Sequence, residues 1–148
     1  MIEIKTDAFK RALAGLRAKY EHAASIAIAT GIKVAEDVAV AALRSQTKRR
    51  TGELEDGTLS YQRSSREGVL FSSAKHARFI EAGTVPHVIA ARRTQFLRFV
   101  VGGKTVFRRA VFHPGTEPRP FMAPAAIAGE TAMVTAIERE ADRIAREF

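Results

Sequence analysis

The sequence contains no cysteine. Disulfides and thiolate metal sites are therefore absent, and nothing ties the chain to an oxidising compartment. Long apolar runs are missing as well: the longest are a few residues, against the roughly 20 that a membrane span needs. The opening stretch MIEIKTDAFKRALAGLRAKY holds Glu3 and Asp7 and no uninterrupted apolar core, which does not fit a signal peptide. These absences predict a soluble, cytosolic chain with no membrane partner. Acidic residues are missing locally too. From Ala82 to Thr116 there is no Asp or Glu, yet the stretch carries Arg92, Arg93, Arg98, Lys104, Arg108 and Arg109.

What is present suits one globular domain. Hydrophobic residues make up 46% and charged residues 27% of 148 positions, a composition able to bury a core. The net charge of +8 asks for a reason. The acid-free stretch and a second knot, Lys48 to Arg50 with Arg44 one turn earlier, have a bland reading as solvated side chains that keep the protein soluble. Their sharper reading is a surface facing nucleic acid or an acidic protein.

Three blocks follow in order. Residues 7–48 read as helix, with Phe9, Leu13, Leu16, Tyr20, Ala24, Ala27, Ala35, Val38 and Ala42 spaced three or four apart on one face. Thr30-Gly31 in its middle is a candidate bend or break. A helix this long must project or kink to suit so small a domain. Residues 51–116 read as short strands and loops. The clearest hairpin is QFLRFVV-GG-KTVFRRAVF, in which Gly102-Gly103 accept the positive φ of a tight primed turn. Leu97, Phe99 and Val101 share one face of it and Phe96, Arg98 and Val100 the other. Both faces are apolar enough to need cover, one from the domain's own helices and one from a neighbour. Residues 121–148 return to helix, with Ile127, Val134, Ile137, Ala141, Ile144 and Phe148 on one side. The order predicts a single α+β domain over 1–148: a long N-terminal helix, a small mainly antiparallel sheet with an extended basic hairpin, and a C-terminal helix.

No catalytic pattern stands out. His76 and Glu81 lie close in sequence but match no metal-site spacing, and His22 and the other histidines, His87 and His113, stand apart. There is no nucleophile elbow, P-loop or dinucleotide turn, and no carboxylate pair. The residues imply no cofactor, no metal and no enzyme. Two stretches remain conspicuous: HARFIEAGT at 76–84 and EPRPFMAPA at 117–125. Gly83 permits a sharp turn after Glu81, and Pro118 and Pro120 fix extended backbone on either side of Arg119. With Phe79 and Phe121 beside them, Glu81 and Arg119 read as parts of a structural joint rather than a catalytic dyad.

TGELED (Thr51, Gly52, Leu54), then HARFIEAGT (Phe79, Glu81, Gly83, Thr84), then PRPFMAPA (Arg119, Pro120, Phe121) resemble, in this order, the tail-component family named after gene product 10 of bacteriophage HK97. Members read Thr-Gly-x-Leu, Tyr-Ala-x-Phe/Tyr-Val-Glu-Tyr/Phe-Gly-Thr and Arg-Pro-Phe-Leu-x-Pro-Ala. Here His76 stands for the usual Tyr, Ala82 for an aromatic and Met122 for Leu. The resemblance implies a non-enzymatic part of the phage or prophage neck, for tail completion or head–tail joining. It would be found in the virion and, during assembly, in the host cytoplasm. Related folds form rings, often sixfold, around the DNA channel. The implied partners are therefore further copies of the chain (a ring, such as a hexamer), other neck or tail proteins, and duplex DNA passing without sequence readout. Two other readings compete: a non-virion nucleic-acid-binding domain gripping DNA or RNA with the basic hairpin, and a small toxin-type ribonuclease.

Overall fold

The computed structural model describes residues 7–46 and 51–147; Lys48 to Arg50 and Phe148, both named above, lie outside them. The chain is α+β and falls into two compact units. The larger draws on the chain up to Ala77 and from Phe121 onward, and the smaller is Arg78–Pro120.

In the larger unit, α1 (Asp7–Gln46) runs unbroken for 40 residues, about 60 Å at 1.5 Å per residue. The candidate break at Thr30-Gly31 does not occur. Thr30 turns its Oγ1 back to donate to the Ile26 carbonyl at 2.9 Å, and Gly31 is buried where α1 meets α4 (Met122–Ala145). A Cβ on Gly31 would sit 2.7 Å from the Gly129 carbonyl oxygen, and one on Gly129 would sit 2.8 Å from the Gly31 carbonyl oxygen. The glycine is a contact point between two backbones, not a break.

The buried face of α1 keeps Ala27 and Ala35 from the expected one and differs elsewhere. It is Ala23, Ala27, Gly31, Ala35, Ala39 and Leu43, a strict four-residue repeat of mostly small side chains. Phe9, Leu13 and Tyr20 are exposed instead. In α4 the buried positions are Ala125, Gly129, Ala136 and Ile144, while Ile127 and Val134 stand exposed. Small residues one turn apart form the shallow ridge that lets two helices approach closely, so size outranks hydrophobicity in choosing the contact face. Every residue from Asp7 to Gly15 is exposed. Those roughly two and a half turns, about 13 Å, project as the length argument required.

A short helix α2 (Glu53–Asp56) and a hairpin of β1 (Thr58–Ser64) and β2 (Glu67–Ser72) complete the larger unit. The segment expected as strands and loops thus also holds helix, here and again at Ala77–Ala82. The hairpin lies on α1: a Cβ on Gly68 would meet Ile32 Cγ2 at 2.1 Å, so only glycine lets it settle. Polar bonds fix its placement. Glu36 on α1 accepts from the Ser60 backbone N at 2.7 Å and from Ser60 Oγ at 2.6 Å, and Gln62 Nε2 donates to Ser25 Oγ at 3.0 Å. Arg66 and Ser65, in the hairpin turn, both donate to Glu21 of α1.

The Ser60 hydroxyl and amide hold the Glu36 carboxyl below the usual carboxylate range, which fixes the sign of its pH effect. A depressed native pKa contributes stability above the unfolded value and loses it as pH falls through the native one. Glu36→Ala is expected to cost about 2 kcal/mol at neutral pH, since hydrogen bonds to a charged group contribute about 1.5–3 kcal/mol. The loss should shrink on acidification, as pH falls through the depressed native value and the wild type itself loses the charge. Urea titrations of both proteins at neutral and acid pH check this, and equal stability at pH 7 would refute it.

Candidate nucleic-acid and assembly interface

The smaller unit runs from Arg78 in HARFIEAGT to Pro120 in EPRP. Ala77–Ala82 forms α3, which Gly83 ends with a φ of 68°, the left-handed conformation that favours glycine at a helix C-terminus. From there two strands run antiparallel. Thr84 and Thr116 exchange backbone hydrogen bonds, at 3.0 Å from Thr84 N and 3.1 Å from Thr116 N. Beyond them β3 (His87–Ala90) pairs with β6 (Ala110–His113), and β4 (Leu97–Val101) with β5 (Lys104–Arg108). Gly102 and Gly103, with φ of 55° and 78°, close the end as the sequence predicts, both positive as a type I′ turn requires. The whole is one long two-stranded ribbon in two ladders rather than a broad sheet. Between the ladders, Arg92 to Phe96 are inserted on one strand opposite the single residue Arg109, whose carbonyl accepts from Ala91 N at 2.9 Å.

The register assigns the faces. Leu97, Phe99 and Val106 share one and are half-buried. Arg98, Val100, Thr105 and Phe107 share the other, where Val100 is 65% and Phe107 55% exposed. In the other ladder Val88 pairs with Phe112, at 65% and 69% exposure. The sequence assigns both faces of the hairpin an apolar character, and the structure leaves much of that surface open.

The basic residues do not form one stripe. Arg92 and Arg93 sit in the insertion. Arg98 stands opposite Phe107, Arg108 opposite Leu97 and Lys104 opposite Val101, so both faces are basic. Arg109 lays its guanidinium over the Phe96 ring, 5.8 Å from the centroid. All six are exposed. Residues 78–120 hold eight of the 24 basic residues and two of the 16 acidic ones, so the smaller unit carries +6 of the +8. By contrast Arg44 is engaged in the larger unit, donating to the buried Glu55 at 3.1 Å.

The motif residues divide between the units. Thr51, Gly52 and Leu54 form the start of α2: Glu53 N donates to Thr51 Oγ1 at 3.3 Å, and Gly52 and Leu54 are buried. Phe121, with no exposed surface, is among the largest fully buried side chains of the described residues. Gly52, Leu54 and Phe121 are core, while Thr51 is exposed. Phe79, Glu81, Gly83, Thr84, Arg119 and Pro120 belong to the smaller unit. There the two conspicuous stretches are tied through backbone. Arg119 N donates to the Ile80 carbonyl at 2.8 Å, and a Cβ on Gly83 would come within 2.4 Å of the Thr116 carbonyl oxygen. The joint read from Gly83 and the prolines therefore rests on main-chain pairing at the root of the ribbon. Glu81 is half-buried and Arg119 exposed.

His76 belongs to the larger unit and Glu81 to the smaller. The histidines that do meet are His87 and His113, directly opposite in the ladder and stacked with centroids 5.1 Å apart. Separated by 26 positions, they gave no local signal. Only a register fixed from the Gly-Gly turn and corrected for the five-residue insertion aligns them. Among the described residues no group of three or more His, Asp or Glu could hold a metal, and no helix is long and apolar enough to cross a membrane. Compared with family models, curated proteins and solved structures, the chain matches none.

Proposed function

We propose that the chain is a structural neck protein of a phage or prophage. It acts as a tail-completion or head–tail joining adaptor that assembles with further copies, and with other neck or tail proteins, into a ring around duplex DNA. The ribbon carries this reading: a basic two-stranded arm with Val88, Val100, Phe107 and Phe112 uncovered. An isolated subunit gains nothing by exposing such a surface, whereas contact with a neighbour removes it from water at about 25 cal/mol per Å². The exposed Phe9 and Leu13 at the end of α1 offer a second apolar surface of the same kind. The order of the three sequence motifs points the same way. In this reading the protein has no catalytic role. The charge on both faces of the arm also suits the second reading, a nucleic-acid-binding domain outside any virion.

Negative-stain microscopy of concentrated protein, with sedimentation velocity, separates the two. Annular particles are expected for the wild type. Phe107→Asp combined with Phe112→Asp should leave the fold intact, because both side chains are more than half exposed, and should abolish the rings. A double variant that assembles like the wild type would remove the ribbon face from the interface.

A further inference from the structure

The stacked histidines occupy a cleft of about 320 Å³ at the root of the ribbon, also lined by Thr84, Thr116, Glu117 and Arg119, with Phe79 and Ile89 as apolar wall. This volume lies at the lower end of the range for small-molecule sites, about 300–1,000 Å³. The hydrogen bonds set what the rings can offer. His87 Nδ1 lies 2.8 Å from the Val85 carbonyl oxygen, which only accepts, so that nitrogen carries a hydrogen. Gly115 N donates to His113 Nδ1 at 3.1 Å, so that nitrogen is bare and the ring is neutral with its hydrogen on Nε2.

The threonines add a donor. Their Oγ1 atoms are 3.1 Å apart, and Thr84 Oγ1 also accepts from Thr116 N at 3.1 Å. One hydroxyl hydrogen joins the pair, which leaves the other for a ligand. The cleft thus offers the His113 Nε2 hydrogen and one threonine hydroxyl, with Arg119 and Glu117 also lining it. A metal ion would need lone pairs, and of the two rings only His87 has one to give at Nε2. The donor set suits an anion.

We propose that this cleft is an oxyanion site for a phosphate ester. His113 Nε2 and a threonine hydroxyl donate neutral hydrogen bonds, and His87 takes up a proton on Nε2 as the anion arrives. The charged and titratable groups that line the cleft with His87 are His113, Glu117 and Arg119. Only a proton is transferred in this step: an O–H bond of the solvent donor breaks, an N–H bond forms on His87 Nε2, and the ester stays intact. The proposal does not depend on ring formation, because every residue in the site comes from one chain.

The test uses the full chain and carbon-resolved NMR of the four histidine side chains. A dinucleoside monophosphate is the first probe, since its diester does not titrate near neutrality. The His87 and His113 signals should shift together on titration while those of His22 and His76 stay fixed. Affinity should be about tenfold or more weaker near pH 8 than near pH 6, because binding takes up a proton. His87→Gln should remove that pH dependence. A short DNA duplex as second probe identifies the source of the phosphate. Shifts with both probes show that free and backbone phosphates are taken alike, and shifts with the dinucleotide alone exclude a duplex. Equal shifts at all four histidines, no shift at His87 and His113 with either probe, or wild-type affinity that does not change with pH would each overturn the proposal. The wild-type titration decides the matter even if the variant fails to fold.

Discussion

Replacing Gly129 with leucine should unfold the larger unit or leave it barely stable. A Cβ at this position meets Ala35 Cβ and the Gly31 carbonyl oxygen, both at 2.8 Å. One is a backbone atom and the other is fixed to it, so no side-chain rotation relieves the clash. Two effects compete. Any residue that is not glycine gains helix propensity, about 1 kcal/mol for alanine and less for others. Against this, overpacking a tight contact costs about 1–3 kcal/mol, and more where backbone must separate. Leucine adds its full branched volume where the first carbon already collides, so overpacking wins by several kcal/mol. Alanine at Gly129 should still destabilise, by about 1 kcal/mol net. At Gly31 the outcome is similar, since Met133 Cγ can move away but the Gly129 carbonyl at 2.7 Å cannot. Thermal unfolding followed by circular dichroism checks both positions. A Gly129→Leu protein melting within a few degrees of the wild type would mean that the helices do not cross there.

Duplex DNA should bind weakly, without sequence preference, and with a steep dependence on salt. Six exposed basic side chains on the ribbon, if all reach phosphates, give a log–log salt slope of about −5, from about −0.9 per phosphate. Affinity should then fall about 1,000-fold between roughly 50 and 200 mM salt. Changing Arg92, Arg93, Arg98, Lys104, Arg108 and Arg109 to Ser together should flatten the slope towards zero and remove measurable binding. These side chains are exposed and the ladder is made by backbone, so the variant should fold. Fluorescence anisotropy over a salt series measures both quantities. A slope unchanged in the six-fold variant would exclude the ribbon as the contact. A hundredfold preference among duplex sequences would favour the nucleic-acid-binding domain over the neck adaptor.

Much of this architecture was legible in the sequence, and the parts that were not share a cause. The three-block order and the Gly-Gly turn follow from local signals: three-four spacing, alternation, and two glycines between apolar runs. The contact face of α1 does not. Periodicity put Phe9, Leu13 and Tyr20 on one face with Ala27 and Ala35, yet burial requires a partner within reach, and of these five only the two alanines belong to the buried stripe around Gly31. The same reasoning misjudged Ile127 and Val134 on α4. The cleft escaped for a different reason. Its residues are scattered over some 40 positions, and one five-residue insertion is enough to change which side chains oppose each other.

The alanine and glycine seam between α1 and α4 also bears on how the protein responds to temperature. The heat-capacity change of unfolding tracks the apolar area that unfolding exposes, and alanine and glycine contribute little of it. With Phe121, Leu43 and Ile144 the bulky members of a core otherwise rich in alanine, that change should be smaller than for a leucine-rich core of the same length. The stability curve is then broad and flat. Such a protein stays folded over a wide span of temperatures without being unusually stable at any of them.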